Sequence, residues 1–214
     1  MFIPMKSHAQ DAKRILPRKW INAFLDASDS VAALFVKFRM SPNLLSILAL
    51  LTGLGAGIFF ATGQPIWATL MIFLCGLFDV LDGKVAVQTK HTSLFGAIFD
   101  STLDRYSEFF IYFGLAYYFR NHWAVWLLFW TFLGSTMVSY TRARAEGLGI
   151  DCKVGFMQRA ERMILLSLGS VVGAIFHIFD PVIIGVLIFI TLVSNFTALQ
   201  RTLYVHRVEK RENR

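Results

Sequence analysis

Charge and cysteine are both scarce in this chain of 214 residues. Charged residues make up 16% of it, and its two cysteines, Cys75 and Cys152, are far apart. That pair cannot form the dense disulfide framework of a small secreted scaffold, and without CxxC or Cys/His ligand spacing a structural zinc site is not expected. An aromatic-interleaved basic stripe is missing too, so the formal net charge of +7 does not point to nucleic acid. Strictly alternating apolar and polar residues are lacking in runs such as Val182 to Ile190, which argues against a membrane β-barrel. What the chain has instead is 56% hydrophobic residues and a mean hydropathy of +0.55, too apolar for an ordinary soluble domain.

No charged side chain occurs between Ser41 and Phe78, and Thr62, Gly63, Gln64 and Pro65 divide that stretch into two segments of bilayer-spanning length. The same criterion gives Ser93 to Phe119, His122 to Thr141, Met163 to Phe179, and Pro181 to about Leu203. The expected architecture is an all-α integral membrane protein with six transmembrane helices. Ser41 and Pro42 make a start signal for the first span, with serine as N-cap and proline at the first helical position.

Lysine and arginine stay on the cytoplasmic side of short loops. Seven of the 21 precede Ser41, Lys84 and Lys90 flank the second connection, five lie from Arg142 to Arg162, and five lie from Arg201 onward. The opposite turns hold only Arg120, so both termini and the larger polar connections are expected in the cytoplasm. The first 40 residues show no short apolar core followed by a cleavage site, so a removable signal peptide is not expected. Within them Ile21, Phe24, Leu25, Val31, Phe35 and Phe38 recur at helical spacing while Lys19, Asp26, Asp29 and Lys37 face elsewhere. This pattern predicts an amphipathic helix in the cytoplasmic interface. The expected organisation is an interfacial segment over 1–40, a membrane domain over 41–203 and a basic cytoplasmic tail over 204–214.

Four acids sit where a membrane helix should not carry them. Asp79 and Asp82, three apart, end the second span, while Asp100 and Asp104, four apart, lie within the third. Each pair projects from one face of its helix, and antiparallel neighbours could bring all four together. Four hard oxygen ligands without His or Cys favour Mg²⁺ or Mn²⁺ over zinc. Gly83, Ala86 and Gly96 stand in register with these acids and let a bulky group approach the backbone.

Asp79 to Asp104 reads D-V-L-D-G-K-V-A-V, eight residues, then G-A-I-F-D-S-T-L-D. This resembles the signature of the CDP-alcohol phosphotransferase family, D-x2-D-G-x2-A-R-x8-G-x3-D-x3-D, at seven of its eight defining positions. The spans, basic loops and N-terminal helix also look like that family. The departure is Val87, where the family carries an arginine for the nucleotide's pyrophosphate; Lys84 or Lys90 could supply a charge nearby. The resemblance implies transfer of a substituted phosphoryl group from a CDP-linked donor to an alcohol, with release of CMP. It implies that Asp79, Asp82, Asp100 and Asp104 hold two Mg²⁺ or Mn²⁺ ions, that Asp104 is also the catalytic base, and that Pro42, Asn43, Gly83, Ser93 and Gly96 contact the CDP donor. A homodimer is implied by the family alone.

Arg105, within D-S-T-L-D-R, and the segments Ser139 to Gly149 and Gln158 to Arg162 resemble the phosphatidylinositol-phosphate synthase branch. That likeness implies CDP-diacylglycerol as donor and inositol 1-phosphate or inositol as acceptor, with Arg105, Ser139, Arg142, Arg162 and Arg201 around the acceptor's phosphate. Arg105 could equally pair with Glu108, three residues on. Glycerol 3-phosphate as acceptor and a CDP-inositol donor are the alternatives within the family. Arg144, Arg159, Arg207, Lys210 and Arg211 read as positive-inside determinants and lipid-headgroup anchors. Trp123, Trp126, Trp130, Tyr117 and Tyr118 read as an interfacial aromatic belt. An ion-coupled transporter is the rival class, but it calls for midplane acids and broken helices in repeated halves, and here the acids cluster at one mouth.

Overall fold

Caps and turns cut the apolar sequence into helices. A computed structural model describes residues 18–212, with side chains from Ser28 to Arg211, and among these there are seven helices and no strand. They are α1 (Arg18–Lys37), α2 (Pro42–Ala61), α3 (Pro65–Gln88), α4 (Leu94–Tyr118), α5 (Ala124–Gly147), α6 (Arg159–Ile175) and α7 (Phe179–Glu212). Ser41 caps α2, its Oγ accepting from the Leu44 N–H at 3.3 Å, and Pro42 opens the helix as expected. Ser93 does the same for α4, accepting from the Gly96 N–H at 2.9 Å. At the start of α6 the Glu161 carboxylate accepts from the Gln158 backbone N–H at 2.9 Å.

By length and composition α2, α5 and α7 can cross a membrane. Of the other helices expected to span, none meets that criterion. α6 has 17 residues, while α3 and α4 carry the acids and bases of the signature segment. Leu44, Ile47, Leu51, Leu54 and Ile58 leave the outer face of α2 apolar and exposed, a surface suited to lipid rather than water. α7, with 34 residues, runs about 50 Å, beyond a hydrocarbon core of about 30 Å, so the basic segment after Arg201 continues as helix to Glu212.

The helices close a ring. α2 lies between α3 and α4, α4 meets α5, α5 and α6 both pack on α7, and α6 returns to α3. Glycine makes the tightest of these contacts possible: a Cβ on Gly57 would strike the Phe110 carbonyl, and one on Gly114 would strike the Gly57 backbone. α2 and α4 therefore cross backbone to backbone, the usual way for membrane helices to gain contact when lipid offers no hydrophobic drive. The main core, including Phe60, Ile72, Tyr112, Leu115, Leu128, Leu166, Ile183 and Leu187, fills the ring at the end away from the acids. A second cluster of Ala32, Leu45, Leu81 and Val85 fixes α1 against α2 and α3.

α1 thus packs on the bundle through one face, while Val31 and Leu34 on it and Phe38 just past its end remain exposed. The expected apolar positions Ile21, Phe24 and Leu25 lie outside the described side chains, as residues 1–17 lie outside the described structure.

Candidate active site

Helix polarity gathers the site at one end of the bundle. α2, α4 and α6 begin there and α3, α5 and α7 end there, so the last turns of α3 and the first turns of α4 and α6 share one mouth. Asp79 from α3 and Asp100 and Asp104 from α4 each offer a carboxylate oxygen within 4.8 Å of the others. All three are half-buried. Three carboxylates this close repel one another unless a cation compensates them. Hard oxygens with no His among them fit a divalent ion of the Mg²⁺ or Mn²⁺ type.

Asp82 lies at the edge of this group. It is buried, its Oδ2 accepts from Ser46 Oγ on α2 at 2.6 Å, and its carboxyl lies within hydrogen-bonding reach of Asp100. It therefore edges the cluster and ties it to α2. Sequence periodicity placed it on the right face of α3 but could not reveal the Ser46 partner.

The largest difference from the sequence reading is Arg159. Instead of anchoring lipid headgroups it enters the cluster, with Nη1 at 2.6 Å from Asp104 Oδ1 and 3.1 Å from Asp79 Oδ2. Its Nη2 reaches the buried Cys75 sulfur at 3.6 Å. Position 159 is the first residue of α6, which packs on α3, and that packing turns the side chain inward. The signal available in the sequence was the spacing of Arg159 and Arg162, three apart on one helical face.

Arg162 points still deeper. It is fully buried and grips Glu108 of α4 through both ends of its fork, Nε to Oε1 at 2.7 Å and Nη2 to Oε2 at 2.9 Å, while Nη1 donates to the Met157 carbonyl at 3.3 Å. Arg162 is committed to Glu108 rather than turned to the mouth, and Glu108 is therefore not the partner of Arg105. Arg105 instead donates to the Ser101 carbonyl at 2.9 Å and stands 3.5 Å from Asp104 Oδ2.

The remaining basic residues at the mouth are variously engaged. Arg142, half-exposed, pairs with Glu146 one turn on at 2.8 Å. Arg201 is buried, donating to the Val154 carbonyl at 2.8 Å and to the Val138 carbonyl, so it pins the α5–α6 connection against α7. Ser139 is half-buried on α5 one residue past Val138. Arg105 and Arg142 are thus the more accessible of the four arginines, and Arg162 and Arg201 stiffen the wall behind them.

On the donor side, Asn43 is exposed and Pro42 half-buried at the start of α2. A Cβ on Gly96 would lie 3.1 Å from Ser93 Oγ and 3.8 Å from Asn43 Oδ1, so these three residues adjoin. Gly83 is exposed, and a Cβ there would meet no atom within 4 Å. Helix packing does not require that glycine, which costs its helix about 1 kcal/mol relative to alanine. Open space beside Asp82 fits a residue kept small for something that approaches from outside. Lys84, next to it, pairs with Asp29 of α1 at 2.5 Å, and Val87 projects outward with 69% of its surface exposed.

Residues 39–200 match the sequence profile of CDP-alcohol phosphatidyltransferase. The chain is 34% identical over 171 residues to the archaetidylinositol phosphate synthase of Methanothermobacter thermautotrophicus, covering 79% of this chain and 85% of that one. It is 32% identical over 187 residues to the phosphatidylinositol phosphate synthase of Streptomyces avermitilis, covering 82% and 76%. Among solved structures, Mycobacterium tuberculosis phosphatidylinositol phosphate synthase with CDP-DAG bound superposes with a TM-score of 0.76 at 26% identity, over 83% of this chain and 92% of that one. The same mycobacterial enzyme in complex with manganese and citrate superposes with a TM-score of 0.75 at 25% identity, over 83% and 88%. The sequence signature, the helical ring and the acid cluster thus agree with these matches, and the chain belongs to the CDP-alcohol phosphatidyltransferase family.

Proposed function

We propose that this enzyme transfers the phosphatidyl group of CDP-diacylglycerol to inositol 1-phosphate and releases CMP. The observation that carries this reading is the convergence of Asp79, Asp100 and Asp104 at one end of the bundle, inside the segment that matches the family. The names of the archaeal and actinobacterial relatives support an inositol-phosphate acceptor, and the mycobacterial complex supports the donor.

In this reading Asp79, Asp82, Asp100 and Asp104 hold two Mg²⁺ or Mn²⁺ ions. Such ions, when bound, neutralise the pyrophosphate oxygens and the leaving phosphate. Pro42 and Asn43 at the start of α2, Ser93 and Gly96 at the start of α4, and Gly83 near the end of α3 seat the cytidine diphosphate. Asp104 takes the proton from the acceptor hydroxyl as its oxygen bonds to the phosphorus that carries the diacylglycerol. The anhydride bond to that phosphorus breaks, and CMP departs with the bonding electrons. Arg105, Ser139 and Arg142 orient the acceptor's phosphate, while Arg162 and Arg201 stiffen the pocket from behind.

The chain crosses the membrane six times, through α2 to α7, with both termini and the acid mouth in the cytoplasm. The segment 1–40 is interfacial and cytoplasmic, 41–203 form the catalytic membrane domain, and 204–214 are a basic cytoplasmic tail. Exposed Trp123, Trp126 and Trp130 form a belt at the opposite interface. The protein acts as a homodimer within the lipid. An acceptor panel tests the assignment: purified protein in mixed micelles with CDP-diacylglycerol and Mg²⁺ should release CMP with inositol 1-phosphate in preference to inositol or glycerol 3-phosphate. Preference for glycerol 3-phosphate would move the enzyme to another branch of its family.

A further inference from the structure

Arg159 reaches into the carboxylate cluster that would hold a metal ion. One guanidinium nitrogen, Nη1, stands between Asp79 and Asp104, at 3.1 Å and 2.6 Å from their oxygens, and those two oxygen-bearing residues belong to the trio that could hold a metal ion. A divalent ion of the Mg²⁺ type binds carboxylate oxygens at about 2.1 Å, so it cannot share that position with a guanidinium nitrogen. The arrangement also leaves Arg159 incompletely satisfied: its Nε is buried without a hydrogen-bond partner, and Nη2 finds only the weak acceptor Cys75 Sγ. A buried unpaired donor is costly, so this pose is held by the carboxylates and not by a complete hydrogen-bond shell.

We propose that Arg159 is a tethered counter-cation that holds the acid cluster together before metal arrives and yields Asp79 and Asp104 to the metal when it binds. The proposal rests on the metal-binding reading given above. Without Arg159 the apo cluster would carry several close negative charges in a half-buried site, at a cost to folding. With it, the metal must displace a guanidinium, so metal alone binds weakly and its retention depends on further oxygens, such as those of a substrate diphosphate. Arg159 acts here as a positioning residue that sets metal affinity through the two aspartates it grips.

The test is Mn²⁺ affinity, measured by titration calorimetry or by the free-ion electron paramagnetic resonance signal, on purified full-length protein without substrate. Arg159→Gln should bind Mn²⁺ on the order of tenfold more tightly than the parent chain, because the guanidinium no longer competes for Asp79 and Asp104. A residue needed only for structure would give the opposite sign, since loosening the site weakens metal binding. Arg159→Lys, which keeps the charge but not the fork, should fall between the two and decides the matter if the glutamine variant does not fold. Unchanged or weaker Mn²⁺ binding in these variants, with normal binding by the parent, would overturn the inference about Arg159 alone. Absence of Mn²⁺ binding in the parent as well would overturn the metal reading together with it.

Discussion

Glu108→Gln should unfold this protein more easily than any surface change, because it strands a buried guanidinium. Arg162 and Glu108 have side-chain exposures of 0% and 5%, and their two parallel contacts of 2.7 and 2.9 Å join α6 to α4 in the interior of the ring. Removing one partner of a buried, hydrogen-bonded pair costs about 3–5 kcal/mol, since the other charge is left without compensation. For a chain of this size that loss lowers the melting temperature on the order of 10 °C. Arg162→Met should cost a similar amount, leaving the Glu108 carboxylate bare. The double variant Glu108→Leu with Arg162→Met should be more stable than either single one, because replacing both charges removes the desolvation penalty along with the attraction. The assay is thermal unfolding in detergent, followed by circular dichroism, with acceptor KM measured in parallel on the folded variants. Single variants that melt with the parent and show only a raised acceptor KM would refute the reasoning and return Arg162 to the acceptor's phosphate.

Asp104→Asn should leave a folded protein whose CMP release falls by at least about 10²-fold, the usual contribution of a positioned base, and Asp79→Asn should lose both activity and Mn²⁺ binding. Gly114→Leu should prevent α2 and α4 from meeting, because the side chain would have to pass through the Gly57 backbone; detergent extraction followed by size-exclusion chromatography should show aggregated protein. Burial pushes the Cys152 thiol up from its ordinary range and leaves it with no exposed surface. Maleimide should therefore label Cys152 slowly at neutral pH in folded protein and rapidly after denaturation, and Arg201→Ala, which unpins the Val154 carbonyl beside it, should accelerate labelling.

Much of this structure follows from local chemistry and could be read without coordinates. The missing charges between Ser41 and Phe78, the Thr62–Pro65 break and the Ser41 cap set the first helix boundaries, because span length and capping are properties of short segments. The acid motif was legible for the same reason: spacings of three and four put each aspartate pair on one helix face. What could not be read was which helix each face meets. Asp82 shares the acid-bearing face of α3, but its hydrogen-bond partner Ser46 lies 36 residues earlier, since α2 packs against both α3 and α4. Arg159 and Arg162 share one helical face and similar sequence surroundings, yet one joins the acid cluster and the other grips Glu108, 54 residues earlier. Neither pairing has a local signature, and a positive charge beside a membrane span is more commonly a topology determinant than a buried partner.

Product identity in proteoliposomes tests the central claim most directly. Protein reconstituted with CDP-diacylglycerol, Mg²⁺ and inositol 1-phosphate should yield phosphatidylinositol phosphate and CMP in equal amounts by mass spectrometry, and both should vanish on chelation of the metal or in the Asp104→Asn variant. CMP without the inositol-phosphate lipid, or equal amounts of both in the presence of chelator, would contradict the account.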